Sequence, residues 1–153
     1  QIETVTHRVF EAAAGTRYYD EASVAGDVLL LDGDLVSVTT LTNGNGDVIP
    51  AAGYWLVPRN TSPAYGIKLK SDYAWQCDTD GEIAVAGMWG YSLTPPDDIV
   101  QATVRLAAYL YAGKDAQVFD VTAQPSAGII TVPKGLPADV KVLIDPYRRL
   151  GIA

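Results

Sequence analysis

"WGYSLTPPDDIVQATVRLAAYLYAGKD", residues 89–115, sets the architecture of this chain. An aromatic, strand-like run meets a double proline, and an apolar helix follows at once. Pro95 and Pro96 suit the first turn of that helix, where a missing N–H costs nothing. Thr94 is the expected N-cap. Asp97 and Asp98 place negative charge on the positive end of the helix dipole. Ile99, Thr103, Leu106 and Leu110 form one stripe, and Val100, Val104, Ala107 and Tyr111 form the stripe beside it. Ala102 and Ala108 widen the apolar arc, which only Gln101 and Arg105 clearly interrupt, and Gly113 and Lys114 close the helix. A helix apolar around most of its circumference is covered on more than one side. One side is expected against a sheet, the other against a second helix or another subunit.

Upstream, the pattern turns from helix to strand. Ile2, Val5 and Val9, with Phe10 beside them, have the spacing of the last turns of an amphipathic helix, which Gly15 is expected to end. "TRYYDEA" is extended. "VLLLD" is a short strand leading into a turn at Asp32-Gly33-Asp34. "VSVTTLT" alternates, with Val36, Val38 and Thr40 on one side and Ser37, Thr39 and Leu41 on the other, and is rich in β-branched residues. "NGNGD" is the clearest hairpin turn, because Asn and Gly tolerate positive φ. "YWLVP" ends at Pro58, which marks an edge or an end. "GIKLK" places Lys68 and Lys70 on a wet face, and "EIAVAGMWGY" aligns Ile83, Val85, Gly87 and Trp89 on one face. Downstream, "AQVFDVTAQPSAGIITVPKG" reads as extended. "LPADVKVLIDPYRRLGIA" starts a helix at Pro137 with Val140, Leu143 and Ile144 as its apolar face, and Pro146 is expected to kink or end it. The expected class is α+β. Antiparallel hairpins over about 16–90 pack on a long central helix over about 96–113, with the end of a helix at the N-terminus and an extended C-terminal arm plus short helix. Residues 1–115 form the core domain, and 116–153 the arm.

The bulk numbers narrow the function. The chain's 153 residues suit one domain with its own core, and 48% hydrophobic with 19% charged residues is a globular composition. No apolar run approaches a membrane span, and no secretory signal is visible. The opening Gln1-Ile2-Glu3 reads like the inside of an element, so upstream residues are expected. A single cysteine, Cys77, excludes an internal disulfide framework and fits a reducing cytoplasm. A net charge of −7 argues against gripping the nucleic-acid backbone, though not against DNA sliding past.

A search for chemistry finds little. There is no nucleophile elbow, Walker loop or dinucleotide fingerprint. His7 lacks an evident partner and stands far from Cys77, so a zinc site is out of reach. The acidic neighbours Asp78 and Asp80 would raise the Cys77 thiol pKa, which makes it inert packing. Asp78, Asp80 and Glu82 open like a calcium loop but lack its closing glutamate, and an Asp-Gly turn explains them better. Trp55, Trp75 and Trp89 fit either a sugar-stacking platform or core and interface, with core or interface favoured for Trp55 and Trp89. Tyr147, Arg148 and Arg149 form a small basic cluster that is either a solvated helix end or an interface anchor. No catalytic residue, cofactor or metal is expected.

Taken in order, "HRVFEAAAGTRYYD", "LLLDGDLVSVTTLTNGNGDVIP", "YWLVPRNTSPAYGIKLK", "GEIAVAGMWGYSLTPPDDIVQATVRLAAYLY", "DAQVFDVT" and "VKVLIDPYRRL" resemble the head–tail connector (adaptor, head completion) family of tailed double-stranded DNA bacteriophages. The likeness covers nearly the whole chain, and its specificity lies in the order of the stretches. The family usually begins with a longer helical segment, nearly absent here. The resemblance implies a structural virion protein, not an enzyme. It would be assembled in the host cytoplasm and placed in the neck as a homo-oligomeric, usually dodecameric, ring. Its implied partners are the portal protein and a stopper, tail terminator or tail protein, and DNA passes its acidic lumen without specific binding. No membrane is involved. The C-terminal part is implied to reach the portal. Residues 117–134 and 146–153 are therefore the docking candidates, with Val118, Phe119, Ile129, Ile130, Tyr147, Arg148, Arg149 and Leu150 at the portal or subunit interface. Two rival classes remain: a β-rich carbohydrate-binding module using exposed Trp and Tyr, and a small hydrolase using an acidic pair. The lack of a secretion signal weighs against the first, and the lack of a nucleophile–base pair against the second.

Overall fold

A computed structural model of the chain describes residues 1–77, 82–115 and 135–149. It divides into two compact units: Arg8–Pro95, and Gln1–His7 together with Pro96–Ala153.

The first unit is a sheet of β1 (Ala13–Tyr19), β2 (Val24–Ala25), β3 (Val28–Thr42), β4 (Val48–Ile49), β5 (Tyr54–Val57), β6 (Ala64–Leu69) and β7 (Ile83–Trp89). Among the described residues these seven strands run in the order β1-β7-β3-β6-β5, with β2 and β4 also on β3, and every pairing is antiparallel. The core is Tyr19, Leu29, Leu31, Leu35, Leu41, Ile49, Ala64, Ile67, Leu69, Ile83, Val85 and Trp89. β7 alternates as its sequence demands: Ile83, Val85, Gly87 and Trp89 face inward. Gly87 is required there, because a Cβ would fall well inside contact distance of the Ser37 carbonyl oxygen on β3. β5 lies at an edge of the sheet and ends just before Pro58.

Two readings of the β3 region are corrected. Asp32-Gly33-Asp34 does not reverse the chain. It lies inside the continuous strand β3, where the pairing to β6 shifts register between Leu30 and Leu35. The carboxylates that looked like turn formers are engaged elsewhere. Asp32 binds Arg17 (2.7 Å) and Tyr19 (2.6 Å), and Asp34 binds Arg8 (2.7 Å). Secondly, strict alternation set Leu41 opposite Val38. A further register shift between Val38 and Thr40 inverts the parity, as a β-bulge does, so both residues pack on the same core.

The Asn-Gly turn forms as expected. The Asn43 N–H donates to the Asp47 carbonyl (2.8 Å), and Gly46 takes a φ of 87°. Buried Asn43 also serves as a latch. Its Nδ2 donates to the Ala74 carbonyl (3.0 Å), and its Oδ1 accepts the Gln76 N–H (3.0 Å).

The second unit holds α1 (Ile2–Thr6), α2 (Asp97–Asp115) and α3 (Ala138–Ile144). Its buried residues are Ile2, Thr6, Ile99, Ala102, Leu106, Val140 and Ile144. The helix expected over about 96–113 forms as α2, which belongs to the helical unit and packs on α3. The Arg105–Asp139 ion pair (3.1 Å) ties the two together. α2 begins after its prolines: the Pro96 carbonyl accepts the N–H of Ile99 (2.9 Å) and Val100 (3.1 Å), so Pro96 takes the N-cap place assigned to Thr94. α1 ends at Thr6, well before Gly15, because His7 adopts the left-handed conformation (φ 54°) and its N–H donates back to the Glu3 carbonyl. Gly15 lies instead within β1. α3 starts after Pro137, buries Val140 and Ile144, and passes into a short 3-10 turn at Pro146.

Candidate subunit interface

The helical unit exposes the most distinctive surface. On α2 the inward line is Ile99, Ala102 and Leu106. The neighbouring line, Val100, Val104, Ala107 and Tyr111, lies outside, with Val104 63% and Tyr111 72% exposed. Leu110, expected with the inner stripe, is half-exposed. α3 adds exposed Val142. Such a run along one helix face is an apolar patch of the kind that marks an interaction site. Its polar border includes Gln101 and Arg105.

Of the C-terminal residues singled out in the sequence, three are described. Tyr147 Oη donates to Asp98 Oδ2 (3.3 Å), and the Arg149 backbone N–H donates to the Thr6 carbonyl (2.9 Å). Arg148 is exposed, with its Nε 4.0 Å from Asp145. The turn after α3 thus sets this cluster beside the start of α2 and the end of α1. Val118, Phe119, Ile129, Ile130 and Leu150 lie outside the described residues, as do Asp78 and Asp80.

In the sheet unit, two cation–aromatic–carboxylate clusters escaped the sequence reading. The Arg8 guanidinium lies 5.2 Å from the Tyr91 ring centre and pairs with buried Asp34. The Arg17 guanidinium lies 4.3 Å over Trp89 and pairs with Asp32, which also accepts the Tyr19 hydroxyl. Burial, then the hydrogen bond to Asp32, pushes the Tyr19 phenol well above its ordinary range. Burial acts to raise the Asp32 carboxyl, but the hydrogen bonds from Tyr19 and Arg17 outweigh it and hold the group below the usual carboxylate range. Both groups are fixed in their ordinary charge states, which suits bracing β3 and not proton transfer. No sequence period links these residues, so only the register could reveal them.

The tryptophans differ in their surroundings. Trp89 is buried, Trp75 Nε1 donates to the Asp27 carbonyl (3.1 Å), and the ring of Trp55 carries Arg59 at 4.7 Å. A cleft of about 370 Å³ is lined by Glu21, Asp27, Leu69, Tyr73, Trp75 and Cys77, among others. Among the described residues no group of His, Cys, Asp and Glu could hold a metal ion, and no helix is long and apolar enough to cross a membrane.

No protein-family model and no curated protein sequence matches this chain. Solved structures do share its fold. A chain of the virion of a native gene transfer agent (GTA) particle matches with a TM-score of 0.62 at 21% identity, over 99% of this chain and 73% of that one. A chain of the neck of a native GTA particle, computed with C12 symmetry, matches with a TM-score of 0.61 at 20% identity, over 99% and 78%. A chain of the neck of an empty GTA particle, computed with C6 symmetry, gives 0.58 at 22%, over 99% and 73%.

Proposed function

We propose that this chain is a structural neck protein that assembles as a closed ring, without catalytic activity, between a portal vertex and a tail or stopper. The observation that carries the reading is the fold shared along 99% of the chain with a chain from a neck of C12 symmetry. The exposed α2 stripe supports it. Val100, Val104, Leu110 and Tyr111 are costly to leave wet in a solitary molecule and suit a subunit contact. Twelve copies would match the symmetry of that neck. Each copy brings a net charge of −7, so a ring of them repels DNA from its wall and lets it pass without specific binding. Portal docking falls to residues 117–134 and 146–153, through Val118, Phe119, Ile129, Ile130, Tyr147, Arg148, Arg149 and Leu150. The division into a core over 1–115 and a C-terminal arm over 116–153 follows from that assignment, as does assembly in a host cytoplasm before incorporation into the virion.

The test is co-sedimentation with rings of a portal protein from the same virion. The full chain is expected to co-sediment with portal rings. A chain with Tyr147, Arg148 and Arg149 all changed to Ala is expected to stay in the supernatant while keeping the parent's circular-dichroism spectrum at the assay temperature. Equal co-sedimentation by both would refute the docking assignment, and none by the parent would refute the neck role.

A further inference from the structure

The sheet ends in two unlike edges. Among the described residues β1 pairs with β7 alone and β5 with β6 alone. Open edges are ordinarily blunted by charge, proline, bulges or brevity. β5 is the shorter edge, four residues that end just before Pro58. β1 is longer and carries one charged residue, Arg17, which is paired with Asp32. Its seven residues keep an unbroken register with β7, and Ala13, Ala14, Gly15 and Thr16 are small and exposed.

Charge divides between the edges in the same way. Beside β5, the Arg59 guanidinium and Lys70 Nζ lie 4.7 Å and 6.0 Å from the centre of the Trp55 ring. Among the described residues neither is in an ion pair, whereas Arg8, Arg17 and Lys68 of the same unit each are. β1 is bracketed by Glu11 before it and Asp20 and Glu21 after it. All three are exposed, and none is in an ion pair among the described residues. Lys70 Nζ donates to the Ala52 carbonyl and Asp20 accepts from the Ser23 hydroxyl, but cations outside any ion pair among the described residues flank one end of the sheet, and such carboxylates flank the other.

We infer that β1 of one copy pairs edge to edge with β5 of the next, with Arg59 and Lys70 meeting Glu11, Asp20 and Glu21 of the neighbour. A ring needs a heterologous contact, in which two different surfaces of each copy meet. Two unlike, charge-complementary ends of one sheet provide such a pair. The pairing also covers part of the β1 edge. This contact rests on the ring reading above and is additional to the α2 stripe.

The experiment is a charge-swap mixture of full-length chains, read by mass photometry. One variant carries Arg59→Glu and Lys70→Glu, so both its edges are acidic. The other carries Glu11→Lys, Asp20→Lys and Glu21→Lys, so both its edges are basic. The parent is expected to form rings, and each variant alone to assemble at least about tenfold more weakly, since like charges opposed across an interface cost more than the roughly 1.4 kcal/mol that a factor of ten represents. An equimolar mixture is expected to recover rings of alternating copies, which also shows that both variants fold. If each variant alone assembles like the parent, the edge contact is wrong and the ring stands. If both variants melt like the parent yet stay apart when mixed, the edge contact is again wrong. A parent that stays monomeric at every concentration, alone and with portal rings, removes the ring and the edge contact with it.

Discussion

Val104→Asp isolates the role of the outer stripe of α2. Val104 is 63% exposed, so the substitution changes little inside the monomer. Val and Asp have similar helix propensity, and exposed substitutions usually stay within about 0.5 kcal/mol. In a ring the same position is expected to be covered. Full burial of such a side chain is worth about 1.5–3 kcal/mol. The part of Val104 still exposed therefore accounts for about 1 kcal/mol per contact, taking the lower end for valine. An aspartate loses that gain and adds the desolvation of an unpaired carboxylate, several kcal/mol more. The sum is at least about 3 kcal/mol per contact, or a hundredfold or more in affinity. Thermal melting by circular dichroism should place the variant beside the parent, while mass photometry should show rings giving way to monomers. Val104→Ala, which only trims the contact, should weaken assembly by less than about tenfold. Rings of undiminished affinity from Val104→Asp would mean that the stripe faces solvent in the assembly. A large drop in melting temperature would mean that it is part of the monomer's own core.

Other perturbations probe the fold. Gly87→Ala forces a Cβ against the Ser37 carbonyl of β3 and should destabilise the sheet by about 1–3 kcal/mol, as overpacking does, measured by urea unfolding. Asp34→Asn leaves the Arg8 guanidinium, only 19% exposed, without its counter-charge, and should cost about 3 kcal/mol in the same assay. Acid and alkali should act through Asp32 and Tyr19. Asp32 has a depressed folded pKa, so its stabilisation is present above the ordinary carboxylate range and is lost as pH falls through the folded value; Asp32→Asn should flatten the acid limb of melting temperature against pH. Tyr19 has a raised folded pKa, so its stabilisation is intact below about pH 10, the ordinary phenol value, and is lost as pH rises from there towards the folded value; Tyr19→Phe should flatten the alkaline limb.

Where a segment's own pattern decides its state, the sequence was readable. β7 alternates cleanly because both its neighbours hold it flat in the sheet, and the Asn-Gly turn and the proline-led α3 form where their backbone preferences require. Misreadings arose where a distant partner decides. Asp32-Gly33-Asp34 has the composition of a turn, but Arg8, Arg17 and Tyr19 hold both carboxylates within a continuous strand. Leu41 reached the core through a bulge that no alternation rule contains. α1 stopped at His7, a residue whose left-handed conformation has no signal comparable to the glycine further on. For the candidate interface, the periodicity of α2 showed that the helix was apolar on two sides. It could not show that Ile99, Ala102 and Leu106 turn inward while Val100, Val104 and Tyr111 turn out, because the packing of α3 makes that choice. The expected contribution of residues 117–134 lies outside the described residues.

The most direct measurement is a cryo-EM reconstruction of the neck of virions that contain this chain, at a resolution that shows side chains. Copies arranged in a ring beneath the portal, with Val100, Val104 and Tyr111 of each buried against a neighbour, are the expected result. A chain found outside the neck, or a neck ring in which that helix face meets only water, would contradict it.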